Sequence, residues 1–386
     1  MQTIQTQAQQ EFQKRFGKEG QNFFCPGRVN LIGEHIDYNG GLVLPAAISK
    51  GIYAVAALNG TNFHTVYSLN FPESEVRFSL EDSALKENLH SNWAAFVAGT
   101  FLSISTKANC TIPGLDILFS SDLPQGCGLS SSAAIEVLSG FVAAHFAGIN
   151  FSRKDLALLC CETERNFIGV NCGIMDQYVV ANAEANHALL LNCNTISHQA
   201  VPVNFASYSL LILNTNKPRK LVESKYNERR AECNQALAII NQHHSYSNLC
   251  EAQEQDLALI DNPTLLSRAK HVITEHLRVL NAAKALQAGN IIQFGHLLTT
   301  SHHSLRYDYE VSCIELDVLC DFANAHPHCI GARMTGAGFG GCAIALVESQ
   351  NVPQFSLQLK AHYYTQTQIS ADVFECDLVE GVRLFG

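Results

Sequence analysis

The chain has 386 residues, with 25 Lys+Arg against 35 Asp+Glu for a net charge of −10, and 47% of its residues are hydrophobic while only 16% are charged. Such a chain can bury a sizeable core, which excludes the disordered class that combines low hydrophobicity with high charge. The acidic balance likewise excludes the basic footprint of a nucleic-acid-binding protein.

Length suggests two domains. The first twenty residues, MQTIQTQAQQEFQKRFGKEG, are polar and lack the apolar core of an export signal. A cytoplasmic location is therefore expected, where the 14 cysteines, irregularly spaced and never in a C-x-x-C pair, stay free thiols. The longest apolar stretch, Ala133–Ile149, is interrupted by Glu136 and His145, so no membrane partner is expected either. The unremarkable surface charge suggests a monomer.

In chain order, Gln2–Phe16 reads as a surface helix. Short β-rich runs follow at Ile52–Leu58, Phe63–Leu69 and Glu75–Leu80. Trp93–Ser105 has helical apolar spacing, and Gly114–Phe119 reads as a strand. Helices are expected over Ser130–Ala147 and Ser152–Phe167, strands at His187–Leu191 and Tyr208–Leu213, and a mostly helical region from Val222 to about Phe322. The chain closes with a strand at Cys342–Glu348, a helix near Val352–Ala361 and a strand around Asp372–Cys376. Strands, then helices, then a mixed ending predict an α+β protein in two lobes, residues 1–200 and 201–386.

Three motifs concentrate the chemistry. PGRVNLIGEHIDYNGG, Pro26–Gly41, gathers Arg28, Glu34, His35 and Asp37 between glycines. Carboxylates beside an imidazole suit a molecule with several hydroxyls, although a polar structural turn would look the same. PQGCGLSSSAA, Pro124–Ala134, places glycines and three serines where a strand gives way to a helix. Curled backbone N–H groups and a helix N-terminus there would favour an anion such as phosphate. It is not a Walker A loop, and alone it could be a capped turn. RMTGAGFGGC, Arg333–Cys342, spells G-x-G-x-x-G, but a strand follows it rather than a helix and position 361 is alanine. The dinucleotide reading fails, leaving a glycine loop that lines a ligand from a second lobe.

Taken together, the three motifs resemble the GHMP small-molecule kinases, and the arginine-bearing first motif resembles the galactokinases among them. The stretches NCGIMDQY (Asn171–Tyr178) and SKYNERR (Ser224–Arg230) agree, so the resemblance spans essentially the whole chain. Ile36 departs from a frequent threonine and KPRK (Lys217–Lys220) varies, but neither removes a chemically required group.

The resemblance implies a two-lobed GHMP kinase fold with the active site between the lobes, and ATP-dependent phosphorylation of the anomeric hydroxyl of galactose. Asp176 would take the proton of that hydroxyl, with Arg28 holding it ionised and offsetting phosphoryl charge. Glu34, His35, Asp37, Gly173, Asp176 and Tyr226 would bind the sugar. Pro124, Gln125, Gly126, Cys127, Gly128, Leu129, Ser130, Ser131 and Ser132 would cradle the nucleotide phosphates, with Gly336 and Gly338 approaching from the other lobe. Mg²⁺ would rest on Ser132 and Glu164, Glu162 being a bystander. The histidines at 243–244, 302–303 and 326/328 lack zinc-ligand spacing and are expected on the surface, and Trp93 is expected in the core rather than against adenine.

Overall fold

The computed structural model describes residues 3–73, 75–124, 126–170, 172–217 and 222–385. Its first half runs α1 (Ile4–Phe16), β1 (Gln21–Asn30), β2 (Leu42–Val43), β3 (Pro45–Leu58), β4 (His64–Ser68), β5 (Val76–Phe78) and α2 (Leu85–Asn88). It continues through α3 (Ala94–Ala108), β6 (Leu115–Ser121), α4 (Ser131–Ala147), α5 (Arg153–Thr163), α6 (Met175–Asn182), β7 (His187–Asn192) and β8 (Ser197–Pro202). The second half holds β9 (Tyr208–Asn214), α7 (Val222–Ile240), α8 (Pro263–Gln287), α9 (Ile291–Tyr307), α10 (Ile314–Ala325) and β10 (Cys329–Thr335). It ends with β11 (Cys342–Glu348), α11 (Val352–Thr367), β12 (Asp372–Glu375) and β13 (Arg383–Phe385).

Among the described residues, a six-stranded sheet in the order β13-β1-β3-β6-β4-β5 carries the N-terminal half. One face is closed by α1, whose Ala8 and Phe12 pack on Val55, Tyr67 and Leu118. α4 packs against β1 and β3 on the other side, which is why this helix is mostly apolar and ten of its 17 residues are buried. A four-stranded antiparallel sheet, β10-β11-β9-β12, organises the second half with α9 and α10 against β10.

Three junctions position the site. β1 feeds the first motif, β6 and α4 bracket the serine motif, and the β10–β11 hairpin carries the glycine loop.

The α+β class and most expected elements hold; β1, β2, β8 and α2 have no counterpart among the named expectations, and further differences follow. β10 escaped because CIGARMT mixes glycine and arginine into a strand that is nonetheless buried at Gly331–Thr335. β13 pairs antiparallel with β1, so the C-terminal end returns to the N-terminal sheet, and a division at 200 falls inside β8. Three residues carry too little pattern to announce a strand, and only the partner strand creates it. His302, expected on the surface, is 4% exposed: helix α9 turns it onto β10, where it faces the Met334 N–H at 3.4 Å.

Candidate active site

Arg28, near the end of β1, reaches Asp176 in the first turn of α6. The guanidinium forks onto the carboxylate, Nε to Oδ1 at 3.0 Å and Nη2 to Oδ2 at 2.8 Å, and its Nη1 donates to the Gly128 carbonyl at 2.6 Å. Ser130 donates to Asp176 Oδ2 at 2.6 Å. Arg28 is 6% exposed at its side chain and Asp176 32%, so the pair is anchored at its cationic end and open at its anionic one. A charge-assisted fork of this kind fixes a carboxylate's orientation.

A cavity of about 360 Å³ opens beside this pair and is also lined by Glu34, His35, Asp37, Gly173 and Tyr226. Glu34 is held from three directions: by Asn30 Nδ2 at 3.0 Å, by Thr335 Oγ1 at 3.1 Å and by the Gly336 N–H at 2.6 Å. His35 donates from Nε2 to the Ala337 carbonyl at 3.1 Å while its Nδ1 faces the Tyr38 hydroxyl at 2.9 Å. Burial lowers its pKa to about 3, and His271 nearby acts in the same direction. With both ring nitrogens engaged, His35 shapes the pocket through its ring, which lies 5.7 Å from that of Tyr226. Burial also pushes the Asp37 carboxyl up to about 6, helped by the Asp176 and Glu34 carboxylates. Gly173 must lack a side chain, since a Cβ there would stand 2.5 Å from Asp37 Oδ2.

The serine motif curls as expected where described. Gln125 lies outside the described residues, as do Asn171 and positions 218–220. Ser130 precedes α4 in a left-handed conformation (φ 63°), and the Leu129 carbonyl receives the Arg28 N–H at 3.1 Å. Cys127 is buried, its thiol facing the Pro124 carbonyl at 2.9 Å. A second cavity of about 380 Å³ is lined by Gly126, Ser131 and Ser132 together with Trp93, Phe96 and Phe119. Ser132 lines both cavities, so the serine turn joins them.

Three protein family models match the chain. Residues 10–58 match the galactokinase galactose-binding signature, and 95–183 and 282–365 match the N-terminal and C-terminal domains of GHMP kinases. A Clostridium perfringens galactokinase is 44% identical over 350 residues, covering 89% of this chain and 90% of its own. One from Enterococcus faecalis is 42% identical over 378 residues, 96% of this chain and 97% of its own. The solved structure of Lactococcus lactis galactokinase complexed with galactose superposes with a TM-score of 0.92 at 39% identity, covering 99% of this chain and 100% of that one.

The chain belongs to the galactokinase family.

Its GHMP fold extends further, to Methanococcus jannaschii mevalonate kinase at a TM-score of 0.67 and 19% identity, a likeness of fold alone. Among the galactokinase motifs, the glycine loop lies against the serine motif, a Cβ on Gly336 standing 3.3 Å from the Gly128 carbonyl. Gly336 borders the first cavity and spends its N–H on Glu34, while Gly338 lines neither cavity and lies where Phe339 donates to the Val311 carbonyl at 2.8 Å.

Glu164 follows α5 in a single π-helical turn, Glu164–Ile168, a wider winding that recurs at functional sites. The turn buries Glu164 at 6% exposure, whereas Glu162 is exposed. Ser132 and Gln177 hydrogen-bond the Glu164 carboxylate, and burial raises its pKa. Behind it, buried Glu136 is raised well above the usual carboxylate range, first by burial and then by Glu164. Glu136 Oε1 and Gln177 Oε1 are buried without a hydrogen-bond partner among the described residues. One carboxylate, one hydroxyl and room for phosphate oxygens and waters fit Mg²⁺, which takes few protein ligands.

Four residues of this site were not anticipated. Trp93, expected in the core, is half-buried and lines the second cavity, with its ring against Phe119 at 5.8 Å. Gln177 and Glu136 back the carboxylate cluster, and Glu136 was visible only as a lone charge in an apolar helix. Arg333, fully buried, donates from Nη1 to the carbonyls of Asn30 and Leu31 at 2.9 and 3.0 Å.

Proposed function

We propose that the protein transfers the γ-phosphoryl group of ATP to the anomeric hydroxyl of D-galactose, giving α-D-galactose 1-phosphate and ADP, the first committed step of galactose breakdown. The observation that carries this reading is the shared wall: Ser132 borders both the carboxylate-lined cavity and the aromatic one. Galactose occupies the first cavity and adenosine the second, so the phosphate chain crosses the serine turn between them.

In this arrangement Glu34 and Asp37 accept sugar hydroxyl protons. Tyr226 closes the pocket. Asp176 faces the attacking hydroxyl and takes its proton as the bond to phosphorus forms. Arg28 orients Asp176 and offsets charge on the phosphoryl oxygens, while the N–H groups at the start of α4 receive the phosphates. Ser132 and Glu164 would hold Mg²⁺, which when bound neutralises phosphate charge. Free thiols at all 14 cysteines suit a cytoplasmic enzyme. Among the described residues no helix is long and apolar enough to cross a membrane.

The test is coupled ADP release with galactose, N-acetylgalactosamine, arabinose, glucose and mevalonate as acceptors. Turnover with galactose is expected. Binding of galactose and ATP without turnover would overturn the reading.

A further inference from the structure

The loop that carries Glu34 and His35 is held mainly from outside its own sheet. Gly33 (φ +108°) and His35 (φ +63°) both adopt left-handed conformations, which turn their peptide groups toward the C-terminal half. The Gly33 N–H donates to Glu275 Oε1 at 3.0 Å, and His271 Nε2 donates to the Glu34 carbonyl at 3.1 Å. Both partners lie on α8, four positions apart, and both are 0% exposed. One further turn along the same stripe stands Val279, whose Cγ2 would be 2.9 Å from a Cβ placed on Gly33. Neither Glu275 nor His271 lines the sugar cavity.

We infer that Glu275 and His271 are positioning residues for sugar recognition: by gripping the Gly33 N–H and the Glu34 carbonyl they fix the Ile32–Gly33 and Glu34–His35 peptide planes, one on each side of the Gly33–Glu34 segment. The Glu34 carboxylate and the His35 ring are thereby aimed into the cavity before sugar arrives. This rests on the galactose reading above.

The chemistry of the grip suits its task. Glu275 is buried, which would raise its pKa, but Arg278 in the same helix (Nε to Oε2 at 2.6 Å), His271 and Arg333 outweigh burial and lower it to about 2. Ser301 donates to Oε1 at 2.6 Å. The result is a fixed anion with one acceptor site committed to a backbone N–H. His271 is held neutral, burial lowering its pKa to about 4. A carbonyl only accepts, so its proton sits on Nε2, and Nδ1 faces the Ser304 hydroxyl at 3.0 Å. A buried ion pair is a weak route to stability but a firm way to specify one arrangement, and a displacement of about 1 Å in a site is enough to cost binding.

The test measures KM for galactose and for ATP separately in E275Q and H271L, with L286A, near the far end of α8, as a stability control. In E275Q the amide cannot accept from both Gly33 and Arg278. In H271L the donor to Glu34 is gone and no charge is left unpaired. Expected are a roughly tenfold rise in KM for galactose in each, with KM for ATP within about twofold of wild type. L286A should lower Tm with both KM values unchanged. Equal changes in the two KM values, or no change in either, would overturn the inference. Should E275Q not fold, the split in H271L decides alone. Failure of the wild-type protein to phosphorylate galactose would overturn the functional reading instead, so the two failures are distinguishable.

Discussion

Arg28 and Asp176 meet across 148 positions of sequence, and the fork between them, at 3.0 and 2.8 Å, is the only guanidinium grip on Asp176 among the described residues. Because Ser130 also donates to that carboxylate, strand β1, the serine turn and helix α6 converge on one anion. Asp176→Asn should therefore lower kcat by about 10³ or more while galactose and ATP still bind. Arg28→Lys, which keeps the charge but loses the fork, should cost on the order of 10² in kcat/KM. ADP release together with calorimetric binding checks both. An active Asp176→Asn would remove the proton-accepting role.

Burial separates the two glutamates of the CETER stretch. Glu164 faces the first cavity and Glu162 faces solvent. Glu164→Gln should raise the Mg²⁺ concentration needed for half-maximal rate by about tenfold, and Glu162→Gln should leave it unchanged. The measurement is a Mg²⁺ titration of the rate at fixed ATP. Equal effects would reject Glu164 as the ligand.

Asp37 gives the reaction an acid limb. Its pKa is raised to about 6 by burial and by the Asp176 and Glu34 carboxylates, so it is ionised above that pH and protonated below it. A protonated Asp37 accepts fewer hydroxyl protons, and kcat/KM for galactose should fall as pH drops through about 6. Asp37→Asn should be weak at every pH and lack that limb. A flat wild-type profile between pH 5 and 7 would contradict this.

Folding stability has its own pH window. Burial lowers His35 and His302 to about 3 and His64 and His271 to about 4, from the ordinary imidazole value of 6.5. The unfolded chain then binds more protons than the folded one between those values. Neutral burial thus contributes stability that is complete above about pH 6.5 and lost as pH falls toward 4 and then 3. Tm should decline over that window, each histidine contributing up to about 1.4 kcal/mol per pH unit. The raised pKa of Asp37 acts oppositely below about 6 and softens the slope. Thermal melts from pH 7 to 4 measure the balance, and His64→Phe should flatten it, since this ring already packs among Phe78 and Phe101.

Trp93 is the single tryptophan of the chain and lines the second cavity. ADP should change its fluorescence, and galactose alone should not. Trp93→Ala should raise KM for ATP several-fold through lost base stacking, worth about 1–3 kcal/mol in comparable contacts. A fluorescence change with galactose only would place the nucleoside elsewhere.

The sequence by itself determined the α+β class, the three motifs and, through them, the family. These are legible because they are local: a glycine spacing, a run of serines and a period of apolar residues constrain backbone and burial within a few positions of one another. It also supplied Arg28 and Asp37 inside a short distinctive stretch and, through the family resemblance, Asp176 and Glu164 as candidates.

What only the tertiary structure decided are relations between distant positions. The pairing of Glu275 with Gly33 spans 242 positions, that of Arg333 with Asn30 spans 303, and the last strand joins the first. Likewise, Gly336 presents its N–H to Glu34, 302 positions away, because β10 delivers it there. A hydrogen bond or ion pair depends on direction and distance in space, which no spacing along the chain encodes. The net charge of −10 is legible from composition alone. Which of those charges is buried, paired or left to accept a proton was fixed only when strands, helices and loops from both halves packed around the same cavity.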